Sequence, residues 1–259
     1  ENVNKLLGTQ IKESDLKKLL SKMCLDYNKD SVFIPAWRSD ILHEVDIIED
    51  IAISYGYDNF VSELPKISTI GSLDRKEKIE SKIAQLLTGL GLQEISSYHL
   101  IKQEEAKLLS LTPLEVESSK TEYKMLRPNL LIPALRTFSE NKDNEYPQKL
   151  FEIGSVFSKA ENDTETGISE KKHLIIALSP SNFTEAKQIL DYISKVLSIN
   201  YELKEAHHNA LIEGRSASIL ISKHSIGYLG EIHPAVLNNF KIKMPISVIE
   251  ICIDKILDN

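Results

Sequence analysis

The stretch Asp40-Ile41-Leu42-His43-Glu44-Val45-Asp46-Ile47-Ile48-Glu49-Asp50-Ile51-Ala52-Ile53-Ser54-Tyr55-Gly56-Tyr57 decides how the N-terminal part of this chain folds. Ile41, Val45, Ile48, Ala52 and Tyr55 recur at helical spacing, and Ile47 and Ile51 widen the apolar stripe. Asp40 stands just before the first periodic residue and suits the N-cap, while Gly56 suits the C-terminal stop. Successive helical residues turn by about 100°. Asp46, Glu49 and Asp50 therefore project within about a third of the circumference, away from the Ile41/Val45/Ile48 stripe, with Asp40 one to two turns earlier. Clustered carboxylates repel unless something cationic compensates them. Oxygen-only ligands suit Mg²⁺ better than Zn²⁺. The same residues also read as a solvated helix face with Asp40 as a simple cap, and their spacing matches no EF-hand. Arg38 could pair with this acidic face or bind a phosphate or a partner carboxylate, a structural ion pair being the preferred reading. Trp37, the only tryptophan, fits either core packing or an interface anchor.

Upstream, Val3 to Leu7 is a short apolar segment ending at Gly8. Ser14 looks like the N-cap of a helix carrying Leu16, Leu19, Leu20 and Met23. Asp26 to Asp30 reads as a turn and Val32-Phe33-Ile34 as a strand stopped by Pro35. Downstream, Asp58 to Gly71 reads as a connector and Arg75 to Leu90 as a helix with Ile79, Ile83, Leu86, Leu87 and Leu90 inward. Ile95 to Ile101 is expected as a strand, and Leu126 to Phe157 as a strand or helix, a loop and a returning strand. Glu161 to Lys172 reads as an exposed loop, His173 to Leu178 as a strand and Glu185 to Leu197 as a helix. Ser216 to Ser222, Ser225 to Gly230 and Ser247 to Ile253 read as strands, with Pro234 opening a short helix to Asn239. Helices and strands mix without a βαβ rhythm, which favours an α+β fold with an antiparallel sheet.

The chain has 259 residues, 42% hydrophobic and 27% charged, an ordinary globular composition that suits one large domain or two ordinary ones. No apolar run is long enough to span a bilayer, and no secretory signal pattern opens the sequence. Cys24 and Cys252 are expected as buried small apolar residues, a usage that suits a reducing cytoplasm. A net charge of -7 argues against a free-standing nucleic-acid binder, which would normally be basic.

Two further constellations stand out. Arg127, within Leu126–Leu131, and Glu152, within Leu150–Gly154, could form an Arg and Glu pair on adjacent strands, the arrangement some nucleotide-binding folds use to grip a phosphate; the alternative is a hairpin with ordinary edge charges. His207, His208 and His233 invite a zinc reading, yet no Cys/His or H-E-x-x-H spacing supports one. Gly227 and Gly230 look like turn or close-packing glycines. No P-loop, G-x-G-x-x-G, nucleophile elbow or kinase motif occurs, and no nucleophile–base pair is readable.

Taken in order, these stretches resemble one family. Pro35-Ala36-Trp37-Arg38-Ser39-Asp40-Ile41, Asp46–Ala52 and Tyr55-Gly56-Tyr57-Asp58 look like the small domain that precedes the synthetase-like module of the phenylalanyl-tRNA synthetase beta subunit. Leu126–Leu131 and Leu150–Gly154 look like that module's degenerate class II motif-two hairpin. Gly214-Arg215-Ser216-Ala217 and Gly230-Glu231-Ile232-His233-Pro234 resemble its later signatures.

The resemblance implies an α+β chain: a small winged-helix-like α/β domain over residues 1–67, then a class II aminoacyl-tRNA synthetase-like antiparallel sheet with helices over 68–259. It implies a magnesium ion associated with Asp40, Asp46, Glu49 and Asp50, the last being Asp where Glu is also usual. It implies a cytoplasmic, non-catalytic subunit with no membrane or DNA partner, joined to an alpha subunit in an α2β2 assembly that uses ATP to attach phenylalanine to tRNA(Phe). An ATP site in this chain itself is not expected, because no G-x-G-x-x-x-R setting for a motif-three arginine is found. Tyr146-Pro147-Gln148 and Ile212-Glu213-Gly214-Arg215 look more like the archaeal and eukaryotic type than the bacterial one. Two other readings compete: a winged-helix-like nucleic-acid-binding module without enzyme activity, and an independent metal-dependent enzyme built on the acidic helix, for which no general base or pocket is readable.

Overall fold

The structure is a computed structural model that describes residues 2–29, 31–160 and 165–257. It divides into two compact units, Glu1–Gly71 and Ser72–Asn259.

In the small unit, helices α1 (Asn2–Leu7) and α2 (Glu13–Lys22) are followed by a hairpin of β1 (Asp26–Asn28) and β2 (Ser31–Phe33), then by helix α3 (Glu44–Tyr55) and a 3-10 turn, Tyr57–Asn59. Its core is Leu19 and Leu20 of α2, Leu25 and Ile51 of α3, with Ile47 and Tyr55 packed around them. The Ser54 hydroxyl ties α3 to α2 by donating to the Leu19 carbonyl at 2.8 Å. Several expected boundaries move. Ser14 lies inside α2, whose N-cap is Lys12 with no side-chain cap bond. The expected turn at 26–30 is instead the first strand of the hairpin plus its bend, where Lys29 takes φ 48°; Asp30 lies outside the described residues. Cys24 is exposed, not buried, because it sits in the left-handed turn that ends α2 with φ 59°, while Leu25 next to it donates back to the Leu20 carbonyl.

The large unit is built on a seven-stranded sheet with strand order β3-β6-β7-β11-β10-β9-β8. Its members in chain order are β3 (Gln93–Glu94), β6 (Gln148–Lys159), β7 (Ile168–Ser179), β8 (Glu202–Glu205), β9 (Leu211–Ile221), β10 (His224–Ile232) and β11 (Ser247–Cys252). All neighbours pair antiparallel except the short edge strand β3, which runs parallel to β6, so the sheet is mixed. A separate ribbon pairs β4 (Leu100–Lys102) with β5 (Tyr123–Leu126). The helices are α4 (Arg75–Gly89), α5 (Gln103–Leu108), α6 (Leu131–Glu140), α7 (Phe183–Val196), α8 (Pro234–Asn239) and α9 (Asp254–Leu257).

Alternation along each strand sends side chains to two cores. On one face Ile175, Ala177, Val248 and Ile232 meet α6 and α8 through Ile132, Phe138 and Val236. On the other, Leu174, Ile176, Ile249, Ile251 and Leu229 meet α4 and α7 through Ile83, Leu87, Leu190 and Ile193. A sheet covered on both sides explains why β11 is buried at every position and reads as an apolar run interrupted by Glu250. The helices expected at Arg75, Glu185 and Pro234 are α4, α7 and α8; Asp74 caps the first, accepting from the Lys76 amide at 3.2 Å, and Asn182 caps the second, accepting from the Glu185 amide at 3.0 Å. Two expected elements differ. Ile95–Ile101 is not one strand: β3 ends before it and β4 begins at Leu100, since Ile95 leaves the sheet after its amide bonds the Phe151 carbonyl. The expected loop at 161–172 is shorter, because β7 already pairs with β6 from Ile168; residues 161–164 lie outside the described residues.

Candidate functional site: two locked charge clusters

The acidic helix is capped differently from the sequence expectation. Asp40 is not the N-cap; α3 begins four residues later, at Glu44, behind His43. The His43 ring Nδ1 accepts from the Val45 amide at 3.3 Å, and Asp46 Oδ2 accepts from the amides of Leu42 and His43, both at 2.8 Å. This reciprocal capping satisfies donors that the helix start leaves open. Those backbone bonds, that of His43 foremost, hold the Asp46 carboxyl below its ordinary value. Asp40 pairs instead with Arg38: Nε donates to Oδ1 at 3.0 Å and Nη2 to Oδ2 at 2.8 Å. The same Nη2 lies 2.8 Å from Asp50 Oδ2. Hydrogen bonding to Asp40, and next to Asp50, raises the Arg38 guanidinium, and the Asp40 carboxyl is lowered in return.

Asp50 is 7% exposed, so it does not share a solvated face with Glu49, which is exposed. Of the four expected ligands, then, Asp40 and Asp50 meet at Arg38, Asp46 serves the backbone, and Glu49 faces outward. Among the described residues no three His, Cys, Asp or Glu side chains are arranged to hold a metal ion. The donors are hard oxygens of the right chemistry for Mg²⁺, but as arranged they do not fit it, because a guanidinium stands between two of them. Trp37 beside this clasp is 66% exposed, which excludes the core-packing reading.

The second cluster lies in the large unit. Arg127 follows β5 directly and Glu152 sits on β6. They are neighbours, but not across a hairpin: β5 pairs with β4, residues after Arg127 form α6, and β6 pairs with β7. Arg127 is 1% exposed. Its Nη1 donates to Glu152 Oε1 at 2.7 Å and to Ser97 Oγ at 2.8 Å, and its Nε to the Ser155 carbonyl at 2.7 Å. Ser97 closes the network, its hydroxyl donating to Glu152 Oε2 at 2.6 Å. Gly154 is required here, since a Cβ would overlap Arg127 Nη2. An open cleft of about 910 Å³ shares Ser97 with this network and is lined also by Tyr98, His99, Tyr123, Arg136 and Glu140, but not by Arg127. The Arg136 guanidinium at that cleft is bound through two nitrogens to Glu105, each at 2.5 Å.

The sheet register places a second buried carboxylate in the same row. Glu152 faces Ile175, Ile175 faces Glu250, and Glu250 faces Tyr228, so the four span β6, β7, β11 and β10 on one face. Glu250 is 2% exposed. Its Oε1 accepts from His173 Nδ1 at 2.8 Å and from the Leu130 amide at 3.1 Å, and its Oε2 from the Tyr228 hydroxyl at 2.7 Å. Burial disfavours the His173 cation, but bonds to Cys252 and Glu250 outweigh it and push the imidazole up to about 9. Burial, with Glu250 beside it, drives the Tyr228 hydroxyl well above its ordinary value. Neither His173 nor Glu250 stands out in the sequence; the available signal is a charged residue on the inward phase of an otherwise apolar strand. Of the histidines that did stand out, two are structural and His207 is exposed: His208 stacks on Tyr228 with ring centroids 4.3 Å apart, and His233 caps α8 by accepting from the Ala235 amide at 3.1 Å. Gly227 and Gly230 lie inside β10 as close-packing glycines; a Cβ at Gly227 would overlap the Glu250 carbonyl.

By its fold the chain is similar to a class of tRNA synthetases: it aligns with a pyrrolysyl tRNA synthetase from Desulfitobacterium hafniense at a TM-score of 0.59 and 16% identity, over 71% of this chain and 68% of that one. Residues 61–253 match the family described as the phenylalanyl tRNA synthetase beta chain CLM domain, and residues 1–57 match the tRNA synthetase B5 domain. The chain belongs to the phenylalanyl-tRNA synthetase beta chain family. It is 36% identical to the phenylalanine–tRNA ligase beta subunit of Pyrococcus abyssi over 96% of this chain and 47% of that protein. It is also 36% identical to the beta subunit of Methanocaldococcus jannaschii, over 98% of this chain and 48% of that protein. The archaeal type suggested by the sequence fits these relatives, and the chain spans about half the length of the curated relatives it matches.

Proposed function

We propose that this chain is the non-catalytic, synthetase-like part of a phenylalanyl-tRNA synthetase beta subunit, partner of an alpha subunit that carries the ATP-dependent attachment of phenylalanine to tRNA(Phe). The observation that carries the reading is Arg127. The sequence offers it as an arginine that could grip a nucleotide phosphate, and its Nε and Nη1 are consumed by Ser155, Ser97 and Glu152 in a buried network. A guanidinium already neutralised and desolvated has little left to offer a phosphate. The cleft beside it is lined by Arg136, which Glu105 likewise neutralises. The domain keeps the scaffold of a synthetase, with Arg127 and Arg136 turned to structural use. An α2β2 assembly in the cytoplasm accords with this role. The helix–helix–hairpin–helix order of the small unit supports its winged-helix-like reading. The net charge of -7 opposes a free-standing nucleic-acid reader.

The test is phenylalanine-dependent ATP–pyrophosphate exchange. The chain alone is expected to give none, and exchange is expected once an alpha subunit is added and co-purifies with it. Robust exchange by this chain alone would overturn the proposal.

A further inference from the structure

Trp37 is held in place without being covered. On one side the Arg38 amide donates to the Pro35 carbonyl at 3.0 Å and closes a turn around the indole. On the other, the Arg38 guanidinium grips Asp40 and stands 2.8 Å from Asp50 of α3. The backbone that carries the indole is thus pinned to the helix, while the side chain itself stays largely in solvent. A large aromatic on a fixed backbone loses little freedom when a partner covers it, which is the property of an interface anchor.

The surface around it has the same character. Between Phe33 and Ile53 six large apolar side chains stay exposed: Phe33, Ile34, Trp37, Leu42, Val45 and Ile53. Val45, Glu49 and Ile53 follow one another at four-residue steps and so form one line along α3. Single exposed apolar residues are ordinary, but this density marks a contact surface, in a unit whose own core is Leu19, Leu20, Leu25 and Ile51. Its charge is one-sided. From Arg38 to Asp58 the sequence has six carboxylates and a single arginine or lysine, Arg38. Arg38 is spent on Asp40 and Asp50, which leaves the exposed Glu44 and Glu49 uncompensated by it.

We propose that this face of the small unit, anchored by Trp37, docks on the alpha subunit, in an apolar pocket rimmed by lysine or arginine. The inference rests on the reading of the chain as part of a beta subunit. The apolar side chains supply the contact area, and the surplus of carboxylates selects a rim of opposite charge. The same surplus repels a phosphate backbone, so the occupant is a protein surface and not a nucleic acid. In this arrangement the Arg38 clasp orients the anchor, and Glu49, between Val45 and Ile53, steers the encounter.

The experiment titrates the whole chain with an alpha subunit. Made with 5-fluorotryptophan, the chain carries one fluorine reporter, because Trp37 is its only tryptophan. The fluorine resonance is expected to move on complex formation and to lose its sensitivity to exchange of H₂O for D₂O. Trp37→Ala should weaken the complex by about thirtyfold or more. Glu49→Lys should slow association by about tenfold at low salt, the difference shrinking as salt is raised. Asp15→Lys makes the same change of net charge on an exposed position of α2 and should leave association within about twofold of wild type. A complex that forms with the fluorine resonance unmoved, variants at Trp37 and Glu49 that bind as wild type, or an Asp15→Lys effect equal to that of Glu49→Lys would each overturn the docking face and leave the beta-subunit reading standing. A resonance that moves with the concentration of the chain alone would assign the face to a second copy and overturn it too. Absence of any complex with the alpha subunit would overturn both. Should Trp37→Ala fail to fold, the wild-type fluorine resonance carries the test.

Discussion

Replacing Arg127 by Met while leaving Glu152 in place should unfold the large unit at markedly lower denaturant. Glu152 is 2% exposed, and without the guanidinium its partners are the Ser97 amide at 3.2 Å and the Ser97 hydroxyl at 2.6 Å. A buried pair broken on one side leaves an uncompensated charge, at a cost of about 3–5 kcal/mol. For a domain of this size each kcal/mol moves the midpoint by roughly 2–4 °C, so the expected fall is about 6–20 °C. The Ser155 carbonyl loses its donor too, which places the effect in the upper part of that range. The double variant Arg127→Met/Glu152→Met is the decisive control. An apolar pair of similar volume avoids desolvating two charges, so the double variant should be more stable than Arg127→Met alone, with a coupling of about 1–3 kcal/mol. Urea unfolding followed by far-UV circular dichroism gives the large-unit transition. Trp37, the only tryptophan, lies in the small unit, so its fluorescence reports that unit separately. A loss below about 1 kcal/mol for Arg127→Met, or a double variant no better than the single one, would refute the account of a charge locked by burial.

Four further outcomes are expected. Gly227→Ala should cost at least the upper end of the roughly 1–3 kcal/mol typical of overpacking, because the new methyl meets the backbone of β11. Gly89→Ala, which meets nothing within 4 Å in the last turn of α4, should stabilise by about 0.5–1 kcal/mol in the same urea assay. In native protein, a thiol reagent should label Cys24 quickly and Cys252 only on unfolding; equal rates would contradict their exposed and buried placement. His173 should titrate near 9 by NMR. Its folded value lies above the ordinary 6.5, so its stabilising contribution is complete below about 6.5 and is lost as pH rises through about 9; a midpoint at or below 6.5 would remove the imidazolium–Glu250 pair from the picture.

The parts of the fold legible in the sequence are those decided by periodicity over a long window. The helices at Arg75 and Glu185, and the apolar strands at His173 and Ser247, carry their burial pattern in the chain itself. Short elements are not legible in that way. β1 has polar ends and a single half-buried Tyr27, and β3 is two residues on a sheet edge, so neither has enough side chains to show a period. The start of α3 differs from the sequence expectation for a specific reason: Asp40 is a good capping residue by type, but Arg38 holds it, and the capping falls to His43 with Asp46. Long-range pairing is equally invisible to local reading. Arg127 and Glu152 were legible as a pair, whereas the third member, Ser97, comes from a segment read as plain strand. Glu250 and His173 are not legible as a pair because a charge inside an apolar run has no local signature of its partner.

The row Glu152–Ile175–Glu250–Tyr228 also explains why this sheet face tolerates two buried carboxylates. A buried ion pair is weak evidence of stability, and apolar residues of equal volume would often serve as well or better. What the two carboxylates provide is attachment of segments that the strand ladder does not reach. Glu250 accepts from the Leu130 amide and so fixes the entry to α6, whose Leu131, Ile132 and Phe138 fill the core above the sheet. Glu152 accepts from the Ser97 amide and holds Arg127, while the Arg127 amide bonds the His99 carbonyl and the Phe157 amide bonds the Arg127 carbonyl. The β4–β5 ribbon and the start of α6 are thereby tied to β6 and β11 by directional bonds, in one register. Apolar replacements could fill the same volume but could not specify that register. The charges on this face therefore act as positioning devices for the scaffold, and a variant that keeps the stability of the large unit while removing both carboxylates should lose the order of residues 97–100 and 127–131 first, visible as faster amide exchange there than in β7 and β11.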